Sequence, residues 1–299
     1  MRKNPFLQIS ILAILLLAAT AVRAQVLYEI SGNSTKAKSY LFATNGMTGI
    51  DFLDSVPNLY KCYGRSNKVI TEFTMQDYAA IAALRNAAIL PDSVTLANFY
   101  TDEEYKAIEQ SLIVNIGMGF DKLSRMKPAY LTELLRNEIV RHWVGADEEF
   151  TCESAFEIIA SEDGKPVYGL DDTGETIYML FDREPFHWQC EELKKIVEYP
   201  EREVALERSI KASYRMGYLS DIAFTIESPD NKSTLSYSDY QVFASRNEQW
   251  VKRLRPYLKE GKAFITLNCI YLGGDKGLIQ QLRKAGYRVR AVNRRKLKA

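Results

Sequence analysis

Short apolar and β-branched segments lie at both ends of this chain, and a long stretch typical of helices separates them. Gly, Asn and Pro turn signals delimit each segment, as is usual for strands. The strand-like segments are 26–30, 39–44, 68–73, 166–170, 263–270 and 287–292. This order predicts one α/β domain whose mixed sheet is formed by strands from both ends of the chain, with a large helical insertion over one face or end.

Capping patterns mark where helices begin in the middle of the chain. Thr74 with Asp77, and Thr101 with Glu104, have the spacing of a capping box, in which each side chain accepts from the other residue's backbone amide. Each pair therefore predicts the start of a helix. Residues 128–143 begin with a proline, which suits the first turn of a helix, and repeat apolar residues every three or four positions, which indicates a helix with one buried face.

The first 24 residues have the pattern of a cleavable signal peptide. Arg2 and Lys3 precede a mostly apolar stretch over 6–19, and Val22-Arg23-Ala24 ends on small residues. An uncleaved membrane anchor is the alternative, but the stretch is shorter than the roughly 20 residues that a spanning helix needs. We therefore expect an exported protein, periplasmic or secreted, that is soluble after cleavage and forms a single domain over 25–299.

Charge argues against a nucleic-acid partner. The formal net charge is +1, and a nucleic-acid-binding protein normally has a basic stripe. Basic residues are concentrated only at 288–298, which we interpret as a solvated tail, with weak contact to an anionic surface as the alternative. No P-loop, dinucleotide fingerprint or nucleophile elbow is present in the sequence.

Cysteine usage leaves two possibilities open. An exported protein meets an oxidising compartment, so its four cysteines can form disulfides. A bridge between Cys152 and Cys190 is our hypothesis, because both flank the same central segment. Free buried thiols are the alternative, since a chain of this size does not need disulfides to be stable.

Four regions of the chain carry a recognisable set of residues. They are the hairpin Leu27–Gly32 with Ser39–Thr44, the strand Gly164-Lys165-Pro166-Val167-Tyr168-Gly169-Leu170-Asp171, the helical Arg246-Asn247-Glu248-Gln249-Trp250, and a closing unit from Leu272-Gly273-Gly274 to Gly286-Tyr287. In this order and spacing they resemble the TraB/GumN family, which includes the animal Tiki proteins. The resemblance covers nearly all of the chain after residue 24.

That resemblance implies a metal-dependent hydrolase or peptidase. The family carries two GxxH motifs, one after the second strand and one at the C-terminal strand, and a glutamate at the end of the third strand. Two histidines and a carboxylate on neighbouring strand ends can hold a divalent metal that keeps a water position open. The metal then lowers the pKa of that water.

This chain departs from the family pattern at both histidine positions. The two motifs read Ala43-Thr44-Asn45-Gly46 and Asn268-Cys269-Ile270-Tyr271, whereas Glu72 matches the family's glutamate. The only two histidines, His142 and His187, lie elsewhere, where helix-end exposure and ordinary packing account for them. We therefore expect the divalent metal of the family to be lost here, without another cofactor.

A modified polar pocket is expected to remain where the family has its site. Its candidate residues are Asn45, Glu72, Glu153, Asp171, Arg246, Asn268 and Tyr271. Glu72 and Arg246 are the candidates for any catalytic role. We expect Arg246 to reach from its helix to the sheet and to pair with one of the retained acids.

Three functions are compatible with these residues. The first is an exported, catalytically degenerate family member that binds an unknown peptide, protein or other ligand. The second is an active metal-dependent hydrolase with a site rearranged around Glu72, Asn45, Asn268 and Tyr271. The third is a structural envelope protein. Whether the chain is an enzyme therefore stays open at this point.

Overall fold

A computed structural model describes residues 25–74, 76–145, 151–235 and 237–292 of the chain. The predicted signal peptide and the basic residues after 292 lie outside these ranges. Signal cleavage and the outer limits of the domain therefore stay predictions.

One mixed sheet contains the strands of the described residues. The strands are β1 (Leu27–Gly32), β2 (Ser39–Thr44), β3 (Lys68–Thr71), β4 (Val167–Gly169), β5 (Ala263–Asn268) and β6 (Tyr287–Ala291). Their order is β4-β3-β5-β2-β1-β6, and β1 runs antiparallel to both of its neighbours while β2, β5, β3 and β4 are mutually parallel. Strands from the two ends of the chain thus pair, and the predicted α/β fold is confirmed.

Most of the remaining described chain is α-helical. The helices are α1 (Asp51–Ser55), α2 (Leu59–Gly64), α3 (Tyr78–Ala87), α4 (Asp102–Ile116), α5 (Phe120–Leu123), α6 (Pro128–Val144), α7 (Cys152–Glu162), α8 (Thr173–Ile177), α9 (Phe186–Glu198), α10 (Pro200–Met216), α11 (Leu219–Glu227), α12 (Tyr237–Glu260) and α13 (Leu278–Lys284). Within the described ranges, no helix combines the length and apolarity that a bilayer crossing requires.

Local sequence signals account for one predicted helix start and miss another. Thr101 and Glu104 form the complete capping box of α4, as predicted. The prediction of a capping box at Thr74 is wrong. Asp77 is the N-cap of α3, where its side chain accepts from two backbone amides. The Thr74 hydroxyl instead donates to the Glu157 carboxylate at 2.6 Å, a long-range contact that outcompetes the local one.

Strand β5 ends earlier than its apolar sequence predicts. It stops at Asn268 rather than at residue 270, and Cys269–Tyr271 forms a short 3-10 turn. The Asn268 side-chain oxygen accepts from the Ile270 amide at 3.2 Å and caps this turn. The turn directs Tyr271 back across the end of the sheet.

Two apolar clusters form the interior of the described chain. The larger one surrounds the sheet, where the rings of Phe42, Phe156 and Phe264 pack together and Trp250 is fully buried. The smaller one joins α4, α6 and α9 through leucines and isoleucines of their facing sides. Burial of apolar area stabilises both clusters.

The hypothesis of a Cys152–Cys190 bridge is wrong, because all four cysteines are buried thiols that take part in no disulfide. Cys152 begins α7, which packs on β3 and β5, whereas Cys190 lies on α9, which packs on α4 and α6. The helices that carry the two thiols therefore pack against different elements. Burial also raises the pKa of the Cys62 thiol to about 12, so its reactive thiolate form is scarce at neutral pH.

Thiol alkylation tests this assignment. We expect iodoacetamide to modify none of the four cysteines in the native protein within minutes, because buried thiols are inaccessible. All four are expected to react in denaturant without any reductant. Intact mass reports the number of adducts, and two unreactive cysteines under denaturing conditions would reveal a disulfide.

Candidate functional site

The carboxyl ends of four parallel strands bring the predicted polar residues together. Asn45 directly follows β2, Glu72 directly follows β3, and Asn268 is the last residue of β5. Asp171 lies two residues after β4. Parallel strands end at the same edge of a sheet, which is the edge where open α/β proteins bind ligands.

Arg246 crosses from α12 to this edge, as predicted. Its Nε donates to Asp171 Oδ2 at 2.7 Å, and its Nη1 lies 3.4 Å from Glu72 Oε2. The guanidinium carbon lies 4.5 Å and 4.9 Å from the ring centres of Trp250 and Tyr271. Burial opposes the charge of Arg246, but Tyr271 and the two carboxylates outweigh it and raise its pKa.

The Asp171 carboxylate accepts several hydrogen bonds in a site closed to solvent. Only 4% of its side chain is exposed. Besides Arg246, the carboxylate accepts from Trp250 Nε1 and from Arg253 Nη1, the latter at 3.3 Å. Asp171 therefore anchors α12 to the end of β4.

Glu72 joins two neighbouring strands of the sheet. Its Oε1 accepts from the backbone amide of Asn268 at 2.9 Å, and its Oε2 faces Arg246. The side chain remains about one-fifth exposed and lies at the floor of a cavity.

Asn45, the residue before the first missing histidine, uses both of its side-chain polar atoms in hydrogen bonds. Asn45 is 3% exposed, and its Oδ1 accepts from the Met47 amide at 3.1 Å and from the Thr48 hydroxyl at 2.8 Å. Its Nδ2 donates to Glu207 at 3.1 Å. Asn45 thus stabilises the turn after β2 and ties it to α10.

Tyr271 stands where the second missing histidine is expected. Its hydroxyl accepts from Arg246 Nη1, and its carbonyl accepts from Asn247 Nδ2 at 2.8 Å. The ring packs edge-on against Phe243 and Trp250 with centroids 4.7 Å and 4.9 Å away. This tyrosine is held rigidly by packing and by the arginine.

A cavity of about 450 Å³ opens between the sheet edge and the helices α6, α9 and α10. Asn45, Glu72, Arg246, Asn268 and Tyr271 line its floor, so the structure brings five of the seven predicted residues to one cavity. Asp171 lies beneath Arg246, and the side chain of Glu153 is outside the described part of α7.

Comparison with known proteins decides the family. The model of the TraB/PrgY/gumN family matches residues 26–291, almost the whole chain. The chain belongs to the TraB/PrgY/gumN family. No curated protein and no solved structure matches it significantly.

The residues of this TraB/PrgY/gumN member do not fit the metal site that the family resemblance implies. Gly46 has no side chain to offer, and the Tyr271 hydroxyl is bonded to Arg246. The Asn268 side-chain oxygen caps its own turn. Within the described ranges, no three His, Cys, Asp or Glu side chains are arranged to hold a metal ion. Glu72 is left as the one family ligand, and a single carboxylate does not complete a transition-metal site.

The helical wall of the cavity holds charged residues that sequence reasoning missed. Arg136 Nε lies 3.3 Å from Glu203 Oε2, and Glu203 Oε1 accepts from the Thr234 amide at 2.6 Å. Arg183 donates to Asp239 across the same wall.

A sequence signal for this wall did exist. Glu203 precedes Leu206 by three positions and Ile210 by seven, so the glutamate lies on the apolar face of α10. A carboxylate on a buried face normally has a partner, which here is Arg136.

Proposed function

We propose that this TraB/PrgY/gumN protein is an exported ligand-binding protein that does not carry out metal-dependent hydrolysis. The observation that supports this most directly is the use of Glu72 and Tyr271 by Arg246, beneath a cavity that stays open. The groups that would bind and activate a metal-bound water instead hold a buried guanidinium.

A guanidinium does not replace the catalytic work of a metal. It remains protonated at every physiological pH and offers no vacant coordination position for water. A hydrolytic metal acts by lowering the pKa of its water toward neutrality. Arg246 can bind and orient an anionic or carbonyl group, but it supplies no such nucleophile.

The same fold has a cavity that is suited to binding a small ligand. The cavity has the size of ordinary small-molecule sites, and both polar and apolar side chains converge on it. Rigid elements position its floor, because the polar residues follow parallel strands whose register the sheet sets. A preorganised cavity limits the entropy that a ligand loses on binding.

Export rests on the pattern of residues 1–24 alone. Cleavage after Ala24 predicts a mature chain that begins at Gln25. The intact mass of the protein isolated from the cells that make it reports this first residue, and an uncleaved Met1 would refute the export proposal.

Metal analysis of residues 25–299, purified without a tag, tests the loss of metal-dependent hydrolysis. We expect far less than one equivalent of zinc, manganese or cobalt by mass spectrometry, and no uptake of these ions by calorimetry. A fluorogenic peptide library is expected to stay uncleaved whether the ions are added or chelated. These results follow from the engagement of Glu72 and Tyr271 with Arg246.

Two variants make this experiment decisive. About one equivalent of metal that disappears in Glu72→Gln would overturn the proposal and favour a rearranged hydrolase. Glu260→Gln is the matched control, because Glu260 is exposed and pairs with Lys68 at the opposite end of the sheet.

A further inference from the structure

The cavity has an excess of negative charge. Its lining combines seven carboxylates with three guanidinium groups and contains no lysine. The charged residues of the lining are Glu72, Glu133, Glu184, Glu192, Glu203, Glu207, Asp239, Arg136, Arg183 and Arg246. An anionic ligand would meet this excess unfavourably, whereas a cation would reduce it.

Every arginine of the lining already has a carboxylate partner. Arg246 pairs with Glu72, as described above. Arg136 pairs with both Glu133 and Glu203. Arg183 pairs with Asp239 and, through Nε at 3.2 Å, with Glu184. The arginines of the cavity lining are therefore already ion-paired with carboxylates of the protein.

Glu192 differs from the other carboxylates of the cavity. It lies on α9 and faces the cavity, yet it makes no hydrogen bond and no ion pair with any residue in the described ranges. Burial, reinforced by the charge of Asp239, raises its pKa to about 7. The charges of Arg136 and Arg183 offset this burial only in part, so a bound cation would further stabilise the Glu192 carboxylate.

The apolar part of the cavity lining suits a ligand with an aliphatic chain rather than a bare metal ion. Leu206, Ile210 and Phe243 contribute apolar surface to the same cavity. The carboxylates are dispersed around the lining, and none of the described residues form a metal-binding cluster. An organic cation satisfies both features, because its charge neutralises a carboxylate while its carbon chain covers apolar surface.

We propose that the cavity binds a primary alkylammonium group, whose ammonium pairs with Glu192 while its carbon chain lies against Leu206, Ile210 and Phe243. This inference rests on the proposed ligand-binding function and names its ligand class. The same chemistry is available from a free diamine and from the side chain of a lysine in a peptide.

Calorimetric titration of chelator-treated protein with defined probes tests the proposal. Cadaverine represents a free diamine, and N-acetyl-lysine N-methylamide represents a peptidyl lysine; 1-pentanol and hexanoate are the neutral and anionic controls. We expect at least one of the two ammonium probes to bind and neither control to bind. The ratio of the two affinities identifies the source of the ammonium group.

Two neighbouring glutamates provide a matched pair of variants. Glu192→Gln preserves the shape of the side chain and removes its charge, and it is expected to weaken binding at least tenfold. Glu191→Gln is the control, because Glu191 is exposed on the same helix, pairs with Lys194 and lies outside the cavity lining. This control is expected to bind like the wild type.

The pH dependence of binding to the wild-type protein gives a readout that needs no variant. Asp239, Glu184, Arg136 and Arg183 face Glu192 from the neighbouring elements, and their balance with burial leaves it half ionised near pH 7. The ammonium remains protonated, so affinity follows ionisation of Glu192 and falls about tenfold between pH 8 and pH 6.

The proposal fails if neither ammonium probe binds, or if Glu192→Gln binds as tightly as the wild type. A flat pH profile between pH 6 and pH 8 would also overturn it. These outcomes are distinct from failure of the proposed function, which shows as metal uptake or peptide cleavage rather than as absent amine binding.

Discussion

Replacing Asp171 by alanine is expected to lower the free energy of unfolding by about 3–5 kcal/mol, since it leaves a buried charge without its partner. Arg246 is largely buried, and its remaining hydrogen-bonding partners among the described residues would be the more distant Glu72 carboxylate and the Tyr271 hydroxyl. The indole N–H of Trp250 would lose its acceptor as well. Chemical denaturation followed by tryptophan fluorescence measures the change.

A surface ion pair gives the matched control for this variant. Lys38→Ala removes a partner of Glu29 at 2.8 Å, but the lysine is more than half exposed. Exposed pairs contribute about 0–1 kcal/mol, because water and salt screen them. An Asp171→Ala loss no larger than that of the control would contradict the anchoring role assigned to this carboxylate.

Replacing Gly273 by alanine is expected to cost about 3 kcal/mol of unfolding free energy or more, because backbone cannot move aside as a side chain can. A Cβ at this position would lie 1.9 Å from the Leu219 carbonyl oxygen and 2.3 Å from its carbonyl carbon. The turn before α13 must therefore separate from the start of α11. The shift in the midpoint of urea denaturation measures the loss.

Gly64 offers a control of the same chemistry in open space. A Cβ there meets no atom within 4 Å, and the residue ends α2 without a positive φ. Gly64→Ala is expected to be neutral or to stabilise the protein by about 0.4–1 kcal/mol, through lower entropy of the unfolded chain. Equal stability of the Gly273→Ala variant and the wild type would show that the close approach is not tight.

The existence of strands β2, β3 and β5 follows from local sequence, but their order in the sheet does not. Apolar segments bounded by turn signals predict β2, β3 and β5, and parallel pairing then places the residues after them at one edge. The family resemblance led to the expectation that Arg246 pairs with one of the retained acids, and it contacts both Glu72 and Asp171. The strands thus follow from residue type and spacing, whereas the grouping of these polar residues into one site was implied by the family resemblance.

Tertiary structure decided the cap of α3, the state of the cysteines and the helical wall of the cavity. Thr74 leaves its predicted local role because α7 brings Glu157 within hydrogen-bonding distance. Glu192 becomes distinctive only because the packing of α6, α9 and α12 gives Glu203 and Asp239 close arginine partners, whereas Arg136 and Arg183 offset the burial of Glu192 only in part. Secondary-structure propensity depends on residues that are neighbours in the sequence. The partner of a buried charge depends instead on which distant elements pack beside it.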